Sequence, residues 1–253
     1  MKPLNKISVA LLLGAGVFAQ QAFADNSIFT SMDDPSTAKS PFVGTASGGY
    51  LAQSGNTNNS SLTAQTNMTW YQSSMAYSLW GNASNTSSDN ERSSETYSVG
   101  GRSRYNLNSS DYLFGQASWL SDRFNGYSSR DTLTAGYGRQ ILNGPVHSLR
   151  AEIGPGVRYD DYEGGGHKTK ALAYGALSYQ WQLTDTTKFI QGVSVLSTLG
   201  DDTTLNSETG LQVAINSRFS LKLAYDVTWN NNPPSSAPDR TDTKTTVLLS
   251  YSM

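Results

Sequence analysis

From Phe42 to Met253 the chain falls into segments of roughly ten residues in which apolar and polar side chains alternate. Nowhere in that stretch is there an apolar run long enough to cross a bilayer as a helix. A period of two puts one set of side chains on each side of a sheet. Inside lipid every backbone group must be satisfied within the protein, which only helices and closed barrels achieve. An exported, membrane-integral chain with this pattern is therefore a barrel. The pattern predicts an all-β fold, a closed antiparallel transmembrane β-barrel of twelve strands, over residues 42–253.

Six segments alternate cleanly: 61–71, 95–107, 147–159, 203–216, 218–230 and 243–253. In 95–107, for example, Tyr97, Val99, Tyr105 and Leu107 oppose Ser98, Arg102, Arg104 and Asn106. Six more are mixed and richer in glycine: 42–54, 74–84, 112–120, 131–141, 171–183 and 187–198. The connections after even strands are short, as at Asn143-Gly144-Pro145 and Thr184-Asp185-Thr186. Those after odd strands are mostly longer and polar: 85–94, 121–130, 160–170 and 231–242. Short periplasmic turns alternating with longer outer loops follow the outer-membrane rule. The composition agrees. Charged residues are 15% of the chain and hydrophobic ones 37%, against roughly 25% and 45–50% in soluble domains.

The first residues read as an export signal. Lys2 and Lys6 form a basic start, Ile7 to Phe18 is a short apolar run, and Ala22-Phe23-Ala24 is an A-x-A cleavage triplet. Residues 1–24 are expected to be a signal peptide removed after Ala24, and 25–41 a periplasmic N-terminal linker. Aromatics gather near the expected strand ends. Trp70, Tyr71, Tyr112, Trp181, Phe219 and Tyr251 fall on the periplasmic side, and Trp119, Tyr159 and Trp229 on the outer side, as in the girdles of membrane barrels.

Catalytic material is sparse. There are two histidines and no cysteine, and no zinc-protease, nucleophile-elbow or phosphate-loop motif. His147 has the lipid-facing parity at a strand end. His167 falls in an expected outer loop with Asp160, Asp161 and Glu163, an arrangement that leaves an outer-membrane enzyme as a third reading. The pairs Asp160-Asp161 and Asp201-Asp202 lack the ligand spacing of a calcium loop. The net charge of −2 advertises no nucleic-acid surface. No cofactor is expected.

The informative charges lie on strands. Arg102, Arg104, Arg150, Arg158 and Lys222 share the polar-face parity with Glu152, Glu208 and Asp226. An Arg or Lys facing lipid at the midplane costs about 2–4 kcal/mol, so all eight are expected to point inward. They either plug the lumen as a paired network or line a water-filled path. If they line a path, five bases against three acids give it a weak preference for anions.

The stretches PFVGTASGGYLAQSGNTNNSSLTAQTNMTWY (41–71), LWGNASNTSSDNERSSETYSVGGRSRYNL (79–107), YLFGQASWLSDRFNGY (112–127) and GPGVRYDDY (154–162) closely resemble the YdiY-like family of salt-induced outer-membrane proteins. The resemblance runs from the signal peptide to the final Tyr-Ser-Met. It implies an outer-membrane barrel linked to salt or other envelope stress, and it transfers no catalytic or ligand residue. The expected function is a narrow solute or ion pore; a non-conducting stress-response barrel is the alternative. The expected partners are outer-membrane lipid and lipopolysaccharide, with the barrel-assembly machinery during biogenesis.

Overall fold

The computed structural model describes residues 34–53, 59–88, 91–234 and 239–253. The expected signal peptide, with Ala22 and Ala24, and the 25–33 part of the expected linker lie outside the described residues. The strands are β1 (Phe42–Gln53), β2 (Asn59–Gln72), β3 (Met75–Ser88), β4 (Glu91–Asn106), β5 (Asp111–Asp122), β6 (Tyr127–Asn143), β7 (His147–Tyr162), β8 (His167–Gln182), β9 (Thr187–Thr198), β10 (Thr203–Ala214), β11 (Phe219–Asn230) and β12 (Thr241–Ser252). Each pairs antiparallel with the next, and β1 closes on β12 from Thr45↔Ser252 to Gly48↔Leu249. The result is a closed twelve-stranded barrel with no edge strand.

Alternation decides which side of the wall each residue takes. Leu79, Val99, Leu133, Ile153, Leu223 and Leu249 are exposed on the outside. Their neighbours Ser78, Ser98, Thr134, Glu152, Ala224 and Ser250 are buried inside. An apolar belt around a polar interior is costly in water and favourable in lipid. Trp70, Trp181 and Phe219 mark one end of the belt, and Trp119, Tyr159 and Trp229 the other.

At the end that holds Phe42 and Met253, the connections are two to four residues long. Polar side chains pin them. Asn108 Oδ1 accepts from the backbone N–H groups of Ser110 and Asp111, both at 2.8 Å. Asn216 does the same for Arg218 and Phe219, at 2.8 and 2.9 Å. These bonds mimic a backbone turn and set the register of the strands that leave it.

The far end differs from the sequence expectation. The loops expected at 85–94, 121–130 and 160–170 are largely strand. β3 and β4 run on to Ser88 and Glu91, β5 and β6 to Asp122 and Tyr127, and β7 and β8 to Tyr162 and His167. The expected loop at 231–242 is shortened only slightly, since β11 ends at Asn230 and β12 begins at Thr241. Beyond the apolar belt both faces of a strand are polar, so the ladder continues without its period-two signal.

Tyr112 is a second correction. It is fully buried inside the barrel rather than in the periplasmic-side girdle. A Cβ on Gly138, across the β5–β6 ladder, would lie 2.3 Å from the Tyr112 ring, so the ring occupies space that only a glycine leaves. Trp80 lies over Gly100 in the same way, at 2.1 Å.

Candidate functional site

All eight charges singled out from the sequence lie on the inward parity. Arg102, Arg104, Arg150, Glu152, Arg158, Glu208 and Asp226 are buried, and Lys222 is partly buried. Six of them fall into three groups along the interior; Arg104 stands at one mouth, and Arg150 is buried on β7.

The central group crosses the lumen. Arg102 on β4 pairs with Glu152 on β7 and donates to Gln116 at 3.1 Å. Glu152 also accepts from the hydroxyls of Tyr112, at 2.7 Å, and Tyr174, at 3.1 Å. The carboxylate thus takes three donors from three other strands. Behind them, Tyr112, Phe114, Leu172, Tyr174 and Leu196 form an apolar cluster inside the barrel. The Phe114 and Tyr174 rings meet at 5.6 Å although their strands stand three apart in the wall. A buried ion pair loses hydration on both partners, and only well-made extra hydrogen bonds offset that loss. The two tyrosines and Gln116 supply them.

The second group lies toward the far mouth. Arg158 Nη2 donates to both carboxylate oxygens of Asp202, and its Nε donates to Asp160 at 3.1 Å. Arg130 donates to the other oxygen of Asp160 at 2.7 Å, and its guanidinium stacks on the Tyr127 ring at 3.8 Å. Lys170 sits between Asp160, Asp201 and Asp202, at 3.5, 2.9 and 3.5 Å. Burial raises the Asp202 carboxyl, but the Arg158 hydrogen bonds and charge, the Thr198 hydroxyl and Lys170 outweigh it and hold it down at about 2.

The third group lines the remaining wall. Lys222 donates to Glu208 at 2.7 Å, and Asp226 faces Lys244 across the β11–β12 ladder. At the mouth near Phe42 and Met253, Arg104 stacks on Tyr112 at 3.9 Å, donates to Asn106 at 2.9 Å and lies 3.6 Å from Asp34.

Over residues 46–253 the sequence matches the model of a family described as protein of unknown function, DUF481. The chain belongs to the DUF481 family. It is 62% identical over 254 residues to the uncharacterized protein YdiY of Escherichia coli (strain K12), with 100% of each chain covered. Among solved structures it resembles an outer-membrane channel from Pseudomonas putida F1, at 10% identity and a TM-score of 0.52, over 83% of this chain and 94% of that one. It also resembles the NanC porin, at 7% identity and a TM-score of 0.53, over 83% and 98%. Identities this low carry the fold alone. This DUF481 chain has the fold of an outer-membrane β-barrel.

The sequence reading missed half of the charge lattice in this DUF481 barrel. Asp160 and Asp202, expected in outer loops, are buried inside. Asp34, Asp122 and Lys244 are buried as well, and Arg130 and Lys170 nearly so. Two of these were within reach. Asp160 follows Arg158 by two residues, and Lys244 precedes Thr246 by two, so strand parity alone places them inside. Asp34 and Asp202 lie off the strands and have no parity to read. With these residues included, eight bases face seven acids, and the excess of two positive charges falls to one.

The histidines stand apart from the lattice. His147 is exposed on the outer face, where Nδ1 lies 2.9 Å from the Tyr179 hydroxyl and the ring packs 5.7 Å from Trp181. His167 is exposed and stacks on Tyr159 at 5.6 Å. Among the described residues, no group of three or more His, Asp or Glu side chains could hold a metal ion.

Several buried polar atoms in the interior have no hydrogen-bond partner among the described residues. They include Trp80 Nε1, Asn82 Oδ1, Thr96 Oγ1, Arg102 Nε, Thr134 Oγ1 and Thr246 Oγ1. Buried polar groups are satisfied by protein or by water. With no protein partner, these atoms call for an interior that admits water.

Proposed function

We propose that this DUF481 barrel sits in the bacterial outer membrane and gives small ions or solutes a narrow hydrated path, constricted by its own charged side chains. One observation carries the reading. Polar and charged side chains run from Asp34 at one mouth, through Arg102–Glu152, to Arg158–Asp202 at the other, and unpartnered polar atoms among them call for water. We further propose that the chain is exported, loses residues 1–24 after Ala24, and turns its 231–240 loop outward. Its outer belt would contact lipid and lipopolysaccharide after insertion by the assembly machinery. The link to salt or other envelope stress is carried by the family resemblance. We assign no catalytic role, since both histidines stack on aromatic rings on the outside.

The pairing of the charges favours a second reading, a non-conducting barrel that acts through its fold and surface. The two separate in a planar bilayer. The pore reading expects small single-channel steps from folded, heat-modifiable protein, with little ion preference in dilute electrolyte. Replacing Arg102 and Arg104 together with serine should shift the reversal potential toward cations, because a ring of charge sets which ion enters cheaply. Folded protein that gives no steps would establish the closed barrel instead.

A further inference from the structure

Asp34 is held as a ligand would be. It precedes the first strand, yet its side chain is 2% exposed, inside the mouth near Phe42 and Met253. Its Oδ1 accepts from Asn106 Nδ2 at 2.7 Å, and from the Ser36 backbone N–H at 2.9 Å and hydroxyl at 2.7 Å. Burial pushes its carboxyl up, but the Ser36 and Asn106 hydrogen bonds and the Arg104 charge hold it below the usual carboxylate range, so it is ionised at neutral pH.

The fit is incomplete on the arginine side. An arginine fork meets a carboxylate best through two parallel hydrogen bonds. Here Asp34 Oδ2 lies 3.6 Å from Arg104 Nη2, and among the described residues neither it nor the buried Arg104 Nη1 has a hydrogen-bond partner. A guanidinium fixed by Tyr112 and Asn106 therefore presents donors that the chain's own carboxylate does not fill.

We propose that Arg104 and Asn106 form a carboxylate-binding subsite at this mouth, that Asp34 occupies it in the resting barrel, and that a small carboxylate solute competes with Asp34 for it. The 34–40 segment is then a stopper held by one replaceable anion contact. The inference deepens the pore reading and rests on it for the identity of the competitor as a permeating solute. The binding itself is measurable without any current.

The test uses the full processed chain in detergent, with acetate as the probe and chloride adjusted to hold ionic strength constant. Asp34→Ala removes the carboxylate and leaves the donors. Acetate at about tenfold its dissociation constant should raise the unfolding temperature of Asp34→Ala by roughly 3–5 °C. It should raise that of wild type less, and that of Asp34→Ala with Arg104→Gln not at all. Equal shifts in all three proteins, or none in Asp34→Ala, would overturn the subsite. If Asp34→Ala loses heat-modifiability, Asp34→Ser, which also removes the carboxylate, is scored by the same comparison. In a bilayer, Asp34→Ala should conduct more than wild type and lose that gain in acetate. Acetate binding with no current from any variant would keep the subsite and refute the pore.

Discussion

Arg158 on β7 reaches across β8 to Asp202 in the β9–β10 turn, where one Nη2 lies 2.8 and 2.6 Å from the two carboxylate oxygens. The same guanidinium holds Asp160, so one side chain joins a wall strand to a turn 44 residues away. Removing one partner of a buried pair leaves the other charge uncompensated, at a cost of about 3–5 kcal/mol. Lys170 and Arg130 still face the two acids, which puts Arg158→Met near the low end of that range. Denaturant unfolding of Arg158→Met, Asp202→Asn and the double variant measures this. The two effects should be coupled by about 1–3 kcal/mol, and simple additivity would contradict the pairing.

The same carboxylate sets a pH window. Burial raises the folded Asp202 carboxyl, but Arg158, Thr198 and Lys170 more than reverse it, to about 2 from an ordinary 3.8. A depressed carboxyl stabilises the fold above its unfolded value, and the gain is lost as pH falls through the folded value. The contribution is about 2 kcal/mol. The unfolding midpoint should therefore hold steady from neutral pH down to about 5 and drop between about 4 and 2. Asp202→Asn should be less stable at pH 7 and flatter within that window. A wild-type and a variant curve with the same acid slope would remove Asp202 as the cause.

The barrel itself was legible because lipid enforces the alternation: a charge on the wrong face costs several kcal/mol, so the sequence can hold few exceptions. All twelve strands follow from that constraint. Where it lapses, so does the signal. Asn85, Thr86, Ser87 and Ser88 continue β3 beyond the belt, and nothing in their polarity separates ladder from loop. Tyr112 shows another limit. A tyrosine at a strand end suits an interfacial girdle and a buried carboxylate equally well, and the choice depends on a glycine one strand away. Asp34 and Asp202 enter the interior from segments outside any strand, so only three-dimensional pairing with Arg104 and Arg158 reveals them.

Gly138 is predicted to be intolerant of any side chain. Its missing Cβ would sit 2.3 Å from the Tyr112 ring, whose hydroxyl holds Glu152 at 2.7 Å. Gly138→Ala must displace the ring, with an overpacking cost of about 1–3 kcal/mol. It also withdraws one of the donors on the buried carboxylate. Tyr112→Phe isolates that second effect, because it keeps the ring and removes only the hydroxyl, at a cost of about 1–3 kcal/mol. In Gly138→Ala the Tyr112→Phe change should cost less than in wild type, since the bond is already disturbed. Equal costs in both backgrounds would mean that the ring stays in place when Gly138 gains a methyl group.

The proposed orientation is testable by labelling, and the structure decides which positions to use. The chain has no cysteine, so each introduced thiol reports alone. Gly126 and Gly165 are poor sites: their φ angles of 83° and 86° lie in the left-handed region that side chains disfavour. Gly164 is better, because it has no positive φ and a Cβ there meets nothing within 4 Å. Asp239, exposed in the 231–240 connection, reports a second far-end position. Gly144 reports the opposite end, where its Cβ would come no closer than 3.4 Å to the His147 carbonyl. Strands of the barrel antiparallel to one another put 144 on the side of Phe42 and Met253 and 164 and 239 on the other. If the termini face the periplasm, a membrane-impermeant thiol reagent applied to intact cells should label Gly164→Cys and Asp239→Cys and leave Gly144→Cys untouched. After the outer membrane is permeabilised, all three should react. Labelling of Gly144→Cys alone in intact cells would invert the barrel, and would put the Asp34 stopper on the cell surface rather than on the periplasmic side.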